Sequence, residues 1–426
     1  MRKIISLRIF QLIIVIIISL SAGFILGTNN INWSWKNYKP IVSIQSKNPP
    51  SAQQLDMRLF YEVFDRINQD YYDKTKIDST KLLYGAINGL LSSLQDPYTS
   101  FFPPKENTEF KTQLAGEFTG IGAELSLSPD NRVMVVAPLD DTPAQKAGVR
   151  SSDLILKVND EDTAGWTVPV AVEKIRGPKG TTVELTVLHD KEKTPTVIKI
   201  VRDTILIKSV TGWVKNISCG KDECSEDKIG PPIAYIRLSQ FGDKTNDEWV
   251  SVANSINTKV NEKDFRGIIL DVRNNPGGYL NDAVFVASEF LKSGVVVIQE
   301  DESKNQESLR VSRRGTLLEK PLIVLINKGS ASASEIVAAA LRDHKRAKLL
   351  GDKSFGKGTI QQAVDVDNGA SLHISVAKWL TPKGTWINKT GLEPDIKVEF
   401  DATKSAKMKD KGFDNQLEAA IRELLK

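Results

Sequence analysis

The rhythm of apolar and polar residues changes three times along this chain. Over residues 55–94 the apolar positions recur at the helical period. Leu59, Phe60, Val63, Phe64 and Ile67 mark one face. Asp78-Ser79-Thr80 offers a cap for a second helix carrying Leu82, Leu83, Ala86, Ile87, Leu90 and Leu91. A small helical domain is expected over 53–115. Over 116–203 the pattern shifts to short strands separated by turns, such as Val133-Met134-Val135-Val136, Leu154 to Val158 and Thr182 to Val187. Two helical signals interrupt them, at 143–147 and 168–175. This predicts a compact β domain.

From about 204 to 400 strands and helices alternate. Strands are expected at 233–238, 267–272 and 321–326, and helices at 248–260 and 280–291. The runs at 267–272 and 321–326 are apolar on both faces, which predicts a layered α/β core with helices on either side. Both runs lead into small-residue turns, and strand ends followed by such turns are where these folds place their sites. The last segment, 401–426, ends in an amphipathic helix over 414–426, with Leu417, Ile421, Leu424 and Leu425 on one side. The whole is a multidomain α+β chain.

The N-terminus adds a targeting signal. Arg2, Lys3 and Arg8 precede an uncharged run from 9 to 27, dense in Ile and Leu. Such a run is long enough to span a bilayer, and positive charge before it sends the downstream chain across. Residues 1–28 therefore read as a membrane anchor or, with Ser19-Leu20-Ser21 as a small-residue site, a cleaved signal. Residues 29–52, rich in Asn, Ser, Pro and Lys, read as a tether. The body is expected to be extracytoplasmic. A net charge of only +4 over 426 residues, with no basic block interleaved with aromatics, argues against nucleic acid as a partner. The two cysteines, Cys219 and Cys224, either close a small loop as a disulfide or remain as unrelated thiols. No further ligands stand near them to make a zinc site.

Two short segments carry chemistry. Gly329-Ser330-Ala331-Ser332-Ala333-Ser334-Glu335 opens an apolar helical run, which puts a hydroxyl at a helix N-terminus. In Ser354-Phe355-Gly356-Lys357-Gly358-Thr359 the lysine has no side-chain bulk on either neighbour, so backbone can close around it and exclude water. A serine nucleophile beside a desolvated lysine base needs no histidine. Each segment alone has a plainer reading, as a helix-packing contact and a solvated turn. The histidines number three. His344 lies one helix length from the serines, roughly 18 Å at 1.5 Å per residue. His189 belongs to a β-domain turn. His373 is the one that could reach the site, which makes a Ser-His-Asp triad the lesser reading.

With these pieces in order, the chain resembles the carboxyl-terminal processing peptidases, or tail-specific proteases, over nearly everything after Leu55. The resemblance is carried by Leu94-Gln95-Asp96-Pro97-Tyr98-Thr99-Ser100-Phe101, by Gly120-Ile121-Gly122-Ala123, by the segments 141–149 and 153–159, by Asp271 to Gly278, and by the serine and lysine segments. It implies a PDZ domain over 116–203 and a crotonase/Clp-protease-like layered core over 204–400. Ser152 and Asp160 depart from the glycines usual in the PDZ pattern, which puts the local turns in doubt.

The resemblance further implies Ser332 as nucleophile, Lys357 as general base and Gln361 as the residue orienting the lysine. It implies an oxyanion hole from the loop of Gly277 and Gly278 with Ala333 N–H. Gly120, Ile121, Gly122 and Ala123 are implied as the loop receiving a peptide carboxylate. Arg176 is implied as a link from PDZ domain to core, with a solvated arginine at a helix end as the alternative. No cofactor or metal is implied. The partners expected are the C-terminal tails of proteins, and the location expected is a periplasm or thylakoid lumen, anchored by 9–27. A catalytically inactive PDZ scaffold is the competing function. An acyl-CoA enzyme of similar core fold is disfavoured by the export signal.

Overall fold

The computed structural model describes residues 57–426 except 129, 140, 191, 222, 261–263 and 402–412, together with Ser19 and two upstream strands. Apart from Ser19, the expected membrane segment lies outside the described residues. Among those described, no helix is long and apolar enough to cross a membrane. The chain forms two compact units divided between Leu82 and Leu83.

In the first unit the expected tether contains an antiparallel hairpin, β1 (Asn30–Lys36) and β2 (Lys39–Gln45). Ile31, Trp33 and Trp35 alternate with polar residues there, a period-two pattern hidden within a polar composition. Helix α1 (Arg58–Asp70) follows, and α2 (Ser79–Ser92) crosses into the second unit. The expected apolar stripes are present, but no residue of either helix is buried, and Leu59 is 70% exposed. Two short helices cannot enclose a core between them.

After α2 the second unit continues with β3 (Ser100–Phe102) and α3 (Pro104–Leu114). The β domain comprises β4 (Glu117–Gly120), β5 (Ala123–Leu127), β6 (Val133–Pro138), α4 (Pro143–Lys146), β7 (Leu154–Val158), β8 (Glu161–Asp162), α5 (Val168–Ile175), β9 (Thr182–Leu188), β10 (Thr196–Val201) and β11 (Asp203–Leu206). Its sheet runs β10-β9-β7-β6-β5, leaving β5 at an edge beside α5. Val133, Val135, Ile155, Leu185 and Ala171 fill its core. The departures from the usual glycines leave the turns intact. Ser152 takes φ 71°, the left-handed region in which a polar residue serves in place of glycine, whereas Asp160 is not left-handed and its neighbour Asn159 takes φ 52° instead. Strands β4 and β11 pair antiparallel, so the domain joins the rest of the chain through a two-stranded stem.

The catalytic-type core comprises β12 (Val210–Cys219), β13 (Cys224–Glu226), β14 (Pro232–Leu238), α6 (Thr245–Val260), β15 (Gly267–Asp271), α7 (Leu280–Ala287), β16 (Val295–Glu300), β17 (Gln306–Arg310), β18 (Leu322–Ile326), α8 (Ala333–Asp343), β19 (Lys348–Gly351), β20 (Thr359–Asp365), β21 (Ser371–Leu380), β22 (Ile396–Lys397) and α9 (Asn415–Leu425). Its main sheet is β13-β12-β14-β15-β18-β19-β22, parallel from β14 to β22. Alternation along β18 explains why the run is apolar throughout. Leu322, Val324 and Ile326 pack with the α6–α8 side, whereas Ile323 and Leu325 pack against Leu417 and Ile421 of α9. A Cys219–Cys224 disulfide closes the β12–β13 hairpin. A second sheet, β17-β16-β21-β20, carries β3 on β21.

Candidate active site

Three loops leave the carboxyl ends of adjacent parallel strands. Asp271 of β15 lies beside Leu325 of β18, and Ile326 lies beside Gly351 of β19. The turns 274–278, 327–332 and 352–358 therefore emerge at one edge of the sheet, where open α/β folds place ligands.

The serine cluster is sorted by burial and bonding. Ser330 and Ser334 are fully buried. The Ser330 hydroxyl donates to Val272 O at 2.8 Å, and that of Ser334 to Asn275 O at 2.9 Å. Ser332 is half-buried at the N-cap of α8, with φ 56° and ψ −116°. A serine in that region of backbone space is strained, and such strain persists where surrounding contacts enforce it. One enforcing contact is Glu335 Oε2, which accepts the Ser332 N–H at 2.8 Å.

Glu335 also governs the lysine loop. The same Oε2 accepts Lys357 N–H at 2.9 Å, while Oε1 accepts Gly356 N–H at 2.7 Å and the Ser354 hydroxyl at 2.6 Å. The backbones of Ser332 and Lys357 thus stand within two hydrogen-bond lengths of each other, across one fully buried carboxylate. Burial raises the Glu335 pKa above the ordinary 4.5, and these donors oppose the rise. Glu335 lies three residues after Ser332, the spacing by which a helix-start glutamate reaches its N-cap backbone. That signal was readable in the sequence. Its reach to the lysine loop was not.

The two glycines beside Lys357 are required by close packing. A Cβ on Gly356 would come within 2.7 Å of Gly391 N, and one on Gly358 within 2.7 Å of Asn388 Cβ and Trp386 Nε1. Trp379 Nε1 donates to Lys357 O at 2.8 Å. Burial lowers the Lys357 pKa from the ordinary 10.5, against the charges of Asp96 and Glu335, which raise it. The ammonium lies 5.4 Å from the centroid of the Tyr98 ring. Among the described residues no hydrogen bond joins it to Ser332 Oγ or to Gln361. The Gln361 amide instead donates to Thr359 Oγ1 at 2.9 Å and Ser375 Oγ at 3.3 Å.

The loop 275–278 abuts the nucleophile turn. Asn275 O accepts Ala331 N–H at 2.9 Å, and a Cβ on Gly277 would come within 2.8 Å of Ser332 Cβ. Gly277 N–H is turned to Asn275 Oδ1 at 2.8 Å. Among the described residues Gly278 N–H and Ala333 N–H donate to no protein group.

Two of the three histidines bond groups away from this chemistry, and the third, His373, lies near Lys357; burial, and then the charge of that lysine, lowers its pKa. His344 bonds Val295 O at 2.8 Å, and His189 bonds the buried Asp153 at 2.7 Å. His373 is packed between the rings of Phe102 and Phe110.

In the β domain, Gly120 ends β4, Ile121 is buried, Gly122 takes φ 76° and Ala123 starts the edge strand β5. Among the described residues Ile121 N–H and Gly122 N–H have no acceptor. An edge strand, a flanking helix and unpaired N–H groups are what strand addition of a peptide terminus uses. Arg176, exposed at the end of α5, lies 5.5 Å over the Phe118 ring on the stem strand β4. Among the described residues it makes no ion pair with the core.

Comparison with known proteins agrees with the order of domains. The family model described as peptidase family S41 matches residues 232–398. A PDZ domain model matches 134–188, and the model of the activating protease CtpB N-terminal domain matches 20–105. A carboxy-terminal-processing protease of Bartonella bacilliformis is 38% identical over 362 residues, covering 84% of this chain and 79% of that one. Carboxy-terminal processing protease CtpA of Bacillus subtilis is 34% identical over 360 residues, covering 82% and 72%. A solved structure of a putative S41 protease from Bacteroides fragilis shares the fold, with a TM-score of 0.57 at 14% identity, covering 89% of this chain and 99% of that one.

Proposed function

This chain belongs to peptidase family S41, among the carboxy-terminal-processing serine proteases, and on that premise we propose that Ser332 and Lys357 act as nucleophile and general base on peptide bonds near protein C-termini. Neutral Lys357 takes the Ser332 proton as Oγ attacks the scissile carbonyl carbon. The oxyanion is received by Gly278 N–H and Ala333 N–H, at the positive end of α8. Collapse breaks the C–N bond, and the leaving amine takes the proton back from Lys357. Water then attacks the acyl carbon as Lys357 accepts its proton, and the C–Oγ bond breaks as Lys357 passes that proton to Ser332 Oγ. Gln361 serves to orient the amine once the lysine turns to Ser332.

The observation that carries this reading is the Glu335 carboxylate, one oxygen of which holds the backbone of both residues. Burial of Lys357 supports it, because an ordinary lysine is protonated near neutral pH and cannot act as base. The intact pair argues against an inactive scaffold. The loop 120–123 would receive the substrate's terminal carboxylate, with β5 pairing the tail. We further propose export and anchoring by 9–27, which the Cys219–Cys224 disulfide supports, since such bonds persist in oxidising compartments. The test is treatment with a fluorophosphonate probe followed by peptide mass analysis. Modification of Ser332, abolished in Ser332→Ala, is the expected result; modification of another residue, or none in an enzyme that hydrolyses peptides, removes the assignment.

A further inference from the structure

The segment Leu94 to Phe101 has no part in the serine–lysine chemistry, yet it reaches the lysine. It turns at Asp96, whose Oδ1 accepts Tyr98 N–H at 3.0 Å and whose Oδ2 accepts the Thr99 hydroxyl at 2.7 Å. Thr99 Oγ1 in turn accepts Ser375 N–H at 3.1 Å, and β3 continues the attachment by pairing with β21. Ser375 Oγ also accepts the Gln361 amide, so turn, strand and candidate orienting residue share one network. The turn is therefore fixed to the core at the place where Lys357 emerges, and the Tyr98 ring faces the ammonium.

We propose that Asp96 and Tyr98 are positioning residues of the active site, which hold the Lys357 amine in place and favour its ammonium form over the neutral amine. The proposal rests on the reading of Lys357 as base. The face of a tyrosine attracts an ammonium through its quadrupole, and a carboxylate on the same turn attracts it by charge. The titratable groups around Lys357 are Asp96, Tyr98, Glu335 and His373. Tyr98 is raised from 10.0, first by burial and then by Glu335 and Asp96, so it presents a neutral phenol. His373 is lowered, first by burial and then by Lys357. Glu335 is committed to four donors and cannot be altered without disturbing the loops. Asp96→Asn removes the charge while Oδ1 can still accept Tyr98 N–H; Oδ2, which accepts the Thr99 hydroxyl, becomes an amide donor, so Thr99→Val serves as the control for that loss.

The consequence runs against intuition. A base must lose its proton before it acts, so whatever stabilises the ammonium holds the acid limb of activity at higher pH. Removing those stabilisers should make the protease more active at low pH. The experiment measures kcat/KM against pH for the full chain with an internally quenched peptide. Asp96→Asn should move the acid limb down by about one pH unit, about tenfold in rate on that limb. Tyr98→Leu keeps the site apolar but removes the ring, and should move the limb in the same direction by roughly half a unit to one unit. Tyr98→Phe retains the ring and should leave the limb where it is. The position of the limb does not depend on how much enzyme is folded, so partial misfolding does not mimic the effect. A limb that stays, or moves up, in both Asp96→Asn and Tyr98→Leu overturns the proposal. Lys357→Ala, run alongside, separates the two ideas. If it keeps more than about a tenth of wild-type activity, the base assignment itself fails. If it is inactive while the limbs stay in place, only the role of Asp96 and Tyr98 falls.

Discussion

Replacing Glu335 by alanine should disable the enzyme without touching either residue of the proposed dyad. The carboxylate accepts three backbone N–H groups, of Ser332, Gly356 and Lys357, and one hydroxyl, of Ser354. The hydroxyl can rotate to another acceptor; the amides cannot. Each buried donor left without a partner costs about 1–3 kcal/mol. Water entering the vacated space satisfies part of that, so the low end is the right value, about 3 kcal/mol for the three. At roughly 2–4 °C per kcal/mol for a core of this size, the midpoint should fall by about 6–12 °C. The catalytic effect should be larger than the stability effect. Ser332 loses a restraint on its strained φ, and the lysine loop loses its tie to the nucleophile turn. A displacement of about 1 Å at reacting atoms costs about 100-fold. The assay is thermal unfolding together with the rate of fluorophosphonate labelling at Ser332, measured well below the lowered midpoint. Glu335→Gln, which keeps one acceptor oxygen, should fall between wild type and alanine in both. Labelling at the wild-type rate with a midpoint unchanged to within about 1 °C would refute the idea that this carboxylate assembles the site.

Three other outcomes are expected. Amidating a substrate's terminal carboxylate should slow cleavage several-fold with the scissile bond unchanged, because Ile121 and Gly122 N–H lose their ligand; coupling of this kind is typically about 1–3 kcal/mol. Equal rates on both tails would remove the role of 120–123. Lys357→Met should raise the unfolding midpoint at neutral pH. The folded lysine is depressed below the unfolded 10.5, so the cost of its buried charge is full at low pH and disappears as pH climbs towards that value; a gain that persists above it would contradict the burial argument. Cys219→Ser opens a short hairpin loop and should cost about 2 kcal/mol by loop entropy, read as a lower midpoint that reductant reproduces in the wild type.

The sequence carried the parts of this site that depend on local chain geometry. Runs apolar on both faces marked β15 and β18, because the sheet is covered by α6–α8 on one side and α9 on the other. Glycines flanking Lys357 marked a loop closed by Gly391 and Asn388, although those neighbours lie thirty or so residues on and were invisible. Three serines at alternate positions could not be told apart by spacing. They separate in the structure because Ser330 and Ser334 spend their hydroxyls on Val272 O and Asn275 O, partners from another strand end. The hairpin at β1–β2 was masked by polar composition. Asp96 and Tyr98 carry no signal of their own in the sequence, since their reach to Lys357 depends on β3 pairing with β21 across some 270 residues of chain.

The assignment of Lys357 as base is tested most directly by kcat/KM for Lys357→Ala on an internally quenched C-terminal peptide, with circular dichroism confirming the fold. Residues that act as a unit in serine hydrolases lose about 10⁴-fold or more when one is removed, and the double variant Ser332→Ala/Lys357→Ala should be no worse than either single. A loss of that size, with the fold retained, is the expected result. Retention of more than about a tenth of the wild-type rate would mean that another group takes the serine proton.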